Sequence, residues 1–361
     1  MNMNEVAGLI FSNLHDRSIP ELTGNRTMGA IPFFGGYRMV DFPLSAMAQA
    51  GIRNVSIIAH HNFESLVNHV GSGAEWGIPV DKGGVKLISP FMTAYAKNGG
   101  ERYSSRLETL KSVCDNIERM KEKYIVMCDC DCAFNLDLHE MIDYHVKRNA
   151  DITVNAESGF RADFDGRIEE LDVSPSAAFD LNVNLWVVSR DYLVGTVKNA
   201  VSRGLSDMTA DVIGRNLTKD KFYVFKPEGE VFRIKSLSDY YRLNMRMLGD
   251  SELCGKLLTN IKSRRSQYYP TRIGEKARIV SSVVSEACEI NGELENCIVF
   301  RGVKVESGAV VKNSILFPGV VISENARLDF VVADKNTGVR EGNSLAGCRI
   351  LPFFIGPRKI F

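Results

Sequence analysis

The stretch CIVFRGVKVESGAVVKNSILFPGVVISENARLDFVV, residues 297–332, decides the fold of the second half of the chain. Cys297, Val303, Ala309 and Ile315 recur every six residues. Val320, Ala326 and Val332 continue the row, displaced by one residue at Pro318-Gly319. Short β-branched pieces alternate with Gly, Asn and Ser, and no helical period appears. A six-residue period with small or aliphatic residues at the repeat position is the mark of a β-helix, in which each coil stacks on the next. The row then reads as one continuous apolar ladder. A β-sandwich would instead show a two-residue period and longer strands. The flat faces and open end of such a solenoid are contact surfaces, so oligomerisation is expected.

Working outward, the residues before this region change rhythm. Val6–Phe11, Val55–Ala59, Tyr124–Cys128, Ile152–Asn155 and Leu185–Val188 read as strands. Phe42–Ala50, Phe63–Val70, Leu138–Arg148 and Ser238–Leu248 read as helices. This β-α-β order predicts a mostly parallel sheet covered on both faces. Ligands on such sheets sit at the carboxyl ends of strands, so the residues just after each apolar run matter most. The polar, basic stretch from Lys262 to Arg264 and beyond suits a linker.

Composition excludes several classes. The 361 residues are 45% hydrophobic, enough for two cores. Lys plus Arg equal Asp plus Glu at 44 each, which gives no basic footprint for nucleic acid. No apolar run reaches the length of a membrane span. With no signal-peptide pattern at Met1–Glu5, a cytoplasmic protein is expected. Eight dispersed cysteines favour free thiols over a disulfide framework. Cys128, Cys130 and Cys132 alternate with Asp129 and Asp131. The cluster reads as small buried strand residues, with a metal site as the alternative.

Two segments carry a family resemblance. Pro32-Phe33-Phe34-Gly35-Gly36-Tyr37-Arg38-Met39-Val40-Asp41-Phe42-Pro43-Leu44-Ser45 and Asn68-His69-Val70-Gly71-Ser72-Gly73-Ala74-Glu75-Trp76 resemble the bacterial glucose-1-phosphate adenylyltransferase (ADP-glucose pyrophosphorylase) family. The resemblance covers nearly the whole chain. It implies a Rossmann-like, GT-A-like nucleotidyltransferase α/β domain with a mostly parallel sheet over residues 1–255. A linker over 256–275 and a C-terminal left-handed β-helix over 276–361 would follow. Active members condense ATP and glucose 1-phosphate into ADP-glucose and diphosphate. That chemistry needs a phosphate-cradling loop, cationic side chains and a metal held by carboxylates.

The resemblance also shows what this chain lacks. Where active members resemble Gly-Gly-x-Gly-x-x-Arg, here stands Phe11-Ser12-Asn13-Leu14-His15-Asp16-Arg17, without a glycine to let backbone N–H groups approach phosphates. Met28 stands in place of a lysine and cannot balance phosphate charge. Asp131 matches the first metal-holding acid, with Asp137 six residues on. The second acid would fall within Val231–Leu237, at Ile234, in a segment with two bases and no acid. Mg²⁺ is therefore expected only if an active site persists. Leu171 replaces the sugar-phosphate lysine, Ala210-Asp211 lacks the charge of a phosphate-binding lysine, and Ser105-Arg106-Leu107 falls where a Gly-Thr-Ala loop is expected.

No residue is therefore assigned a catalytic role. Ser12, Asn13, His15, Met28, Leu171 and Ile234 mark degenerate positions, and Asp131 a residual metal position. This pattern is similar to the non-catalytic second subunit that accompanies the catalytic one in many Firmicute glycogen operons. It implies a regulatory role in a mixed tetramer with a catalytic subunit. Arg26 and Arg38 match positions that contact effector phosphates, so a sugar-phosphate or nucleotide effector is expected. For Arg38 the alternative is a local pair with Asp41; Arg26 reads as an effector or interface residue, with a purely structural role as the alternative. Other readings are a competent enzyme with an altered site, a freestanding ligand sensor, and an acyltransferase using the β-helix. The last is disfavoured because all six histidines precede residue 150.

Overall fold

The structure is a computed structural model, and it describes residues 2–90, 105–155, 159–171, 184–226, 228–264 and 268–361. Its first part is built on a seven-stranded sheet. The spatial order is Phe222–Phe225, Ile152–Asn155, Trp186–Ser189, Tyr124–Asp129, Val6–Phe11, Asn54–Ile58 and Gly84–Ile88. All neighbours are parallel except Trp186–Ser189, which runs antiparallel to both its partners. Every residue of Val6–Phe11 is buried. A Cβ at Gly8 would meet Met47 Sδ at 2.4 Å, which lets helix Asp41–Gln49 lie close against the strand.

The chain leaves Val6–Phe11 for Asn54–Ile58 on one side and later returns to Tyr124–Asp129 on the other. The carboxyl ends of Val6–Phe11 and Tyr124–Asp129 thus flank the point where strand order reverses, the usual place for a ligand crevice on such a sheet. Residues 12–16 follow one strand and residues 130–131 the other. Among the described residues no helix is long and apolar enough to cross a membrane.

Helices Leu237–Gly249 and Ser251–Leu258 lead to a solenoid whose first short strand is Arg272–Ile273. Three stacks of five parallel strands form its sides, consistent with a left-handed β-helix. Cys297, Val303, Ala309, Ile315, Val320, Ala326 and Val332 are all fully buried. The six-residue row is nevertheless not a ladder. Neighbours up the stack, such as Val305, Ile322 and Val339, stand 17 residues apart. The row marks successive sides of one coil, three sides of six with one residue removed, which accounts for the displacement at Pro318-Gly319.

One apolar cluster spans the two parts, and each part also has a cluster of its own. Ile298, Phe300, Ile315, Phe317 and Val332 of the solenoid pack in the same apolar cluster as Phe33, Phe42 and Tyr240. Edge-to-face rings run from Phe42 through Phe33, Tyr240 and Phe317 to Phe300, with centroids 5.3–6.3 Å apart. Tyr240 Oη donates to Pro32 O at 2.6 Å, Tyr241 Oη to Asn313 O at 2.6 Å, and Ser285 Oγ to Gly35 O at 2.7 Å. Gly35 has φ +80, which a side chain adopts only at a cost, and a Cβ there would press on Val283 at 3.1 Å.

Candidate functional site

Among the described residues, two of the places where polar groups converge are candidate sites. The first is the crevice at the strand reversal. There the loop after Val6–Phe11 is knitted shut by its own side chains. Ser12 Oγ donates to Thr27 Oγ1 at 2.8 Å, and Asn13 Nδ2 to Asp16 Oδ2 at 2.6 Å. Asp16 Oδ1 accepts the Met28 N–H at 2.8 Å, and Asn13 Oδ1 accepts the His60 N–H at 2.8 Å. Ser12, Asn13, Asp16 and Met28 are buried. Side-chain bonds thus tie this loop to itself and to Thr27, Met28 and His60.

Beside this loop lie two buried carboxylates, each joined to cations from distant segments. Asp129 Oδ1 accepts from Arg106 at 2.8 Å, and Asp129 Oδ2 pairs with His15 Nε2 at 2.8 Å. Asp131 Oδ2 accepts from Arg233 Nε at 2.6 Å and lies 3.6 Å from His15 Nε2. Arg106 is sandwiched over the rings of Phe11 at 5.3 Å and Trp186 at 4.9 Å. Arg233 arrives through the antiparallel pairing of Val231–Arg233 with Cys132–Phe134, and the same pairing sends the Ile234 N–H to Asp131 O at 2.8 Å.

The electrostatics follow from this pairing. Burial disfavours the Asp129 carboxylate, but Arg106 and then His15 outweigh it and hold its pKa below the ordinary value. Burial likewise works against protonated His15, and Asp131 and Asp129 together raise it above 6.5. Arg233 is raised because Asp131 outweighs its burial.

His15, Asp129 and Asp131 offer ligand atoms within 4.8 Å of one another, the spacing of a small cation site. They do not fit the Mg²⁺ that the fold family implies. Mg²⁺ requires near-octahedral oxygen ligands with several waters, whereas guanidinium groups already hold both carboxylates within 2.8 Å. Two guanidinium groups and an imidazole already surround the two carboxylates.

The second region is a cleft of about 1170 Å³ between the α/β part and the solenoid. Arg38, Lys262, Arg264, Arg301 and Lys335 line it, against Glu75 and Glu286. Burial first, then Arg301, Arg26 and Arg264, bring Arg38 down to about 10 despite the opposing effect of Asp41. Positive charge therefore crowds this cleft beyond what its acids offset, the condition for an anion site.

The sequence-predicted residues divide between these places. Arg38 lines the cleft. Its guanidinium donates to Ser65, and only its backbone N–H bonds Asp41, at 2.9 Å. Asp41 is instead paired with His69 at 2.6 Å. Arg26 does not line the cleft. It is 1% exposed and bound to Asp334 of the solenoid at 2.6 Å, beneath the Phe317 ring. It ties the two parts of this one chain together, as the structural alternative has it. Leu171 packs near Gly214, Ile234 is buried behind Asp131, and Asp137 caps helix Leu138–Lys147. Cys128, Cys130 and Cys132 are free and buried, and burial pushes their thiols well up.

Sequence reasoning missed Arg106, Arg233 and Asp129 as one network, and Arg301 and Lys335 as the solenoid's half of the cleft. The two bases in Val231–Leu237, opposite an orphan acid at Asp131, were a usable signal for Arg233. Nothing local marks Arg301 or Lys335.

Comparison with known proteins defines the class. The nucleotidyl transferase family matches residues 19–159, and the GlmU-like C-terminal hexapeptide family matches residues 266–347. The fold is thus a nucleotidyltransferase domain followed by a hexapeptide β-helix. Over most of its length the chain is similar to glucose-1-phosphate adenylyltransferases. It is 26% identical to those of Bacillus mycoides (strain KBAB4) and Bacillus cereus (strain Q1) over 346 residues, covering 89% of each chain. That of Bacillus anthracis is 25% identical over the same span.

Proposed function

We infer that this chain is a regulatory, non-catalytic partner of a glucose-1-phosphate adenylyltransferase. In this reading it assembles with a catalytic subunit in the cytoplasm, in a mixed tetramer, and tunes the formation of ADP-glucose for glycogen synthesis. The observation that carries the reading is the internal neutralisation of Asp129 and Asp131 by Arg106, His15 and Arg233 beside a buried, glycine-free first loop. Preorganised positive charge aimed at transferring phosphates is the main device of such catalysis. Here that charge is spent on the chain's own carboxylates. The cleft between the domains supports the regulatory half of the reading, as a place for a phosphorylated effector held by Arg38, Arg301 and Lys335.

The test is to assay ADP-glucose formation by the purified chain alone and mixed with a catalytic subunit from the same genome. The expected result is no turnover alone and a changed rate or effector response in the mixture, with co-elution of the two chains. Turnover alone near that of the catalytic subunit would refute it.

A further inference from the structure

Arg301, Pro318 and Lys335 hold one corner of the solenoid on three successive coils. The Gly319 N–H donates to Arg301 O and the Asn336 N–H to Pro318 O, each at 3.1 Å, so the corner repeats in register. Strand-stacked coils rise about 4.8 Å each, so Arg301 and Lys335 stand roughly 10 Å apart. The short Pro318 ring between them leaves a gap that opens into the inter-domain cleft and into an adjoining hollow of about 330 Å³. Across the gap the α/β part supplies Arg38. Arg38 and Lys335 converge on Ser65 Oγ, at 2.9 and 3.3 Å. Asp334, the residue next to Lys335, is turned inward to Arg26 and is fully buried. Among the described residues no carboxylate pairs with Lys335 Nζ.

This step rests on the reading of the cleft as an anion site. We propose that the cleft takes a doubly charged oxyanion together with one proton from solvent, and that Lys335 is the group that accepts the proton. The three cations around the Pro318 gap are too close for all to stay charged at no cost, and an anion between them removes that cost. Burial, then Arg38, Arg26 and Arg301, bring the free ammonium down to about 7, with Asp334 only partly opposing. Arg38, at about 10, remains charged at neutral pH. His69 is the other titratable group near neutrality on the cleft wall. Burial lowers it below its ordinary value despite its bond to Asp41. Glu286 holds the same corner one coil before Arg301, its carbonyl accepting the Gly302 N–H at 3.2 Å, and Glu75 lines the cleft from the α/β part.

The sign follows from linkage. A dianion stabilises the charged lysine, so binding takes up a proton and weakens as pH rises above about 7. Sulfate is the suitable probe, because it does not titrate near neutrality and any pH dependence belongs to the protein. Calorimetric titration of the full chain with sodium sulfate should show affinity falling about fivefold from pH 7 to pH 8, with about half a proton taken up per sulfate at pH 7 in buffers of different ionisation heat. Lys335→Arg keeps its charge throughout this pH range. That variant should bind sulfate with a flat profile and no proton uptake. Sulfate binding that is independent of pH in the parent chain overturns the proposal and leaves the anion site standing. A slope that persists in Lys335→Arg overturns it by assigning the proton to another group such as His69. No binding at pH 6.5, where the lysine is charged, overturns both the proposal and the reading of the cleft.

Discussion

Replacing Arg26 with alanine tests how the two domains are joined. Arg26 is 1% exposed and its Nη2 lies 2.6 Å from Asp334 Oδ1, while Asp334 is 0% exposed and its other oxygen has no hydrogen-bond partner among the described residues. Charge centres about 4 Å apart attract by about 4 kcal/mol at an effective dielectric of ~20. Truncating one member of a buried pair costs about 3–5 kcal/mol, because the other is left uncompensated. The guanidinium also sits 5.7 Å over the Phe317 ring, a contact worth roughly 1–2 kcal/mol when desolvated. These terms overlap, so Arg26→Ala should lose about 3–5 kcal/mol in urea unfolding followed by circular dichroism. The paired change Arg26→Met with Asp334→Asn should recover much of that loss, since no buried charge remains and an asparagine carbonyl still accepts the Lys335 N–H that Asp334 now binds at 2.6 Å. A loss below about 1 kcal/mol for Arg26→Ala would refute the buried-pair argument. It would place Arg26 in a solvated setting, where it could contact an effector directly.

Other expectations concern the crevice and the turn at Gly35. The folded-state pKa of His15 is raised above 6.5, so its contribution to stability is complete below that value and is lost as pH rises through the folded pKa. His15→Gln should therefore abolish a decline in stability that the parent chain shows from pH 6.5 upward, and identical pH profiles would count against the Asp129–His15–Asp131 network. Gly35→Ala should lower stability by about 1–2 kcal/mol, from positive φ and the approach of Val283 and Ser285. It should also weaken sulfate binding in the cleft that Gly35 lines, and an unchanged melting temperature would contradict this account of the turn.

The first two-thirds of the fold was legible because apolar periods are local. The strands and helices expected at Val55–Ala59, Leu138–Arg148 and Ser238–Leu248 fall within a residue or two of those observed. The six-residue row identified the β-helix, and all of its residues are buried. It misnamed the ladder, because a period along the chain records turns around a coil and only the coil length records stacking. The candidate site was legible as loss: no glycine after Phe11, no lysine at Met28, no acid near Ile234. What fills the space was not legible, because Arg106 and Arg233 reach Asp129 and Asp131 from helix and strand positions that carry no mark of their partners.

By itself, then, the sequence determined the two architectures and a first loop without glycine, since both are written in spacing and residue type over a few tens of residues. Only the tertiary structure decided which charges meet. Arg26 finds Asp334 across 308 residues of sequence, Arg233 finds Asp131 across 102, and Arg301 and Lys335 share a corner because coils stack. Pairing energies of this kind depend on burial and distance, and the packing of the α/β part against the solenoid sets both.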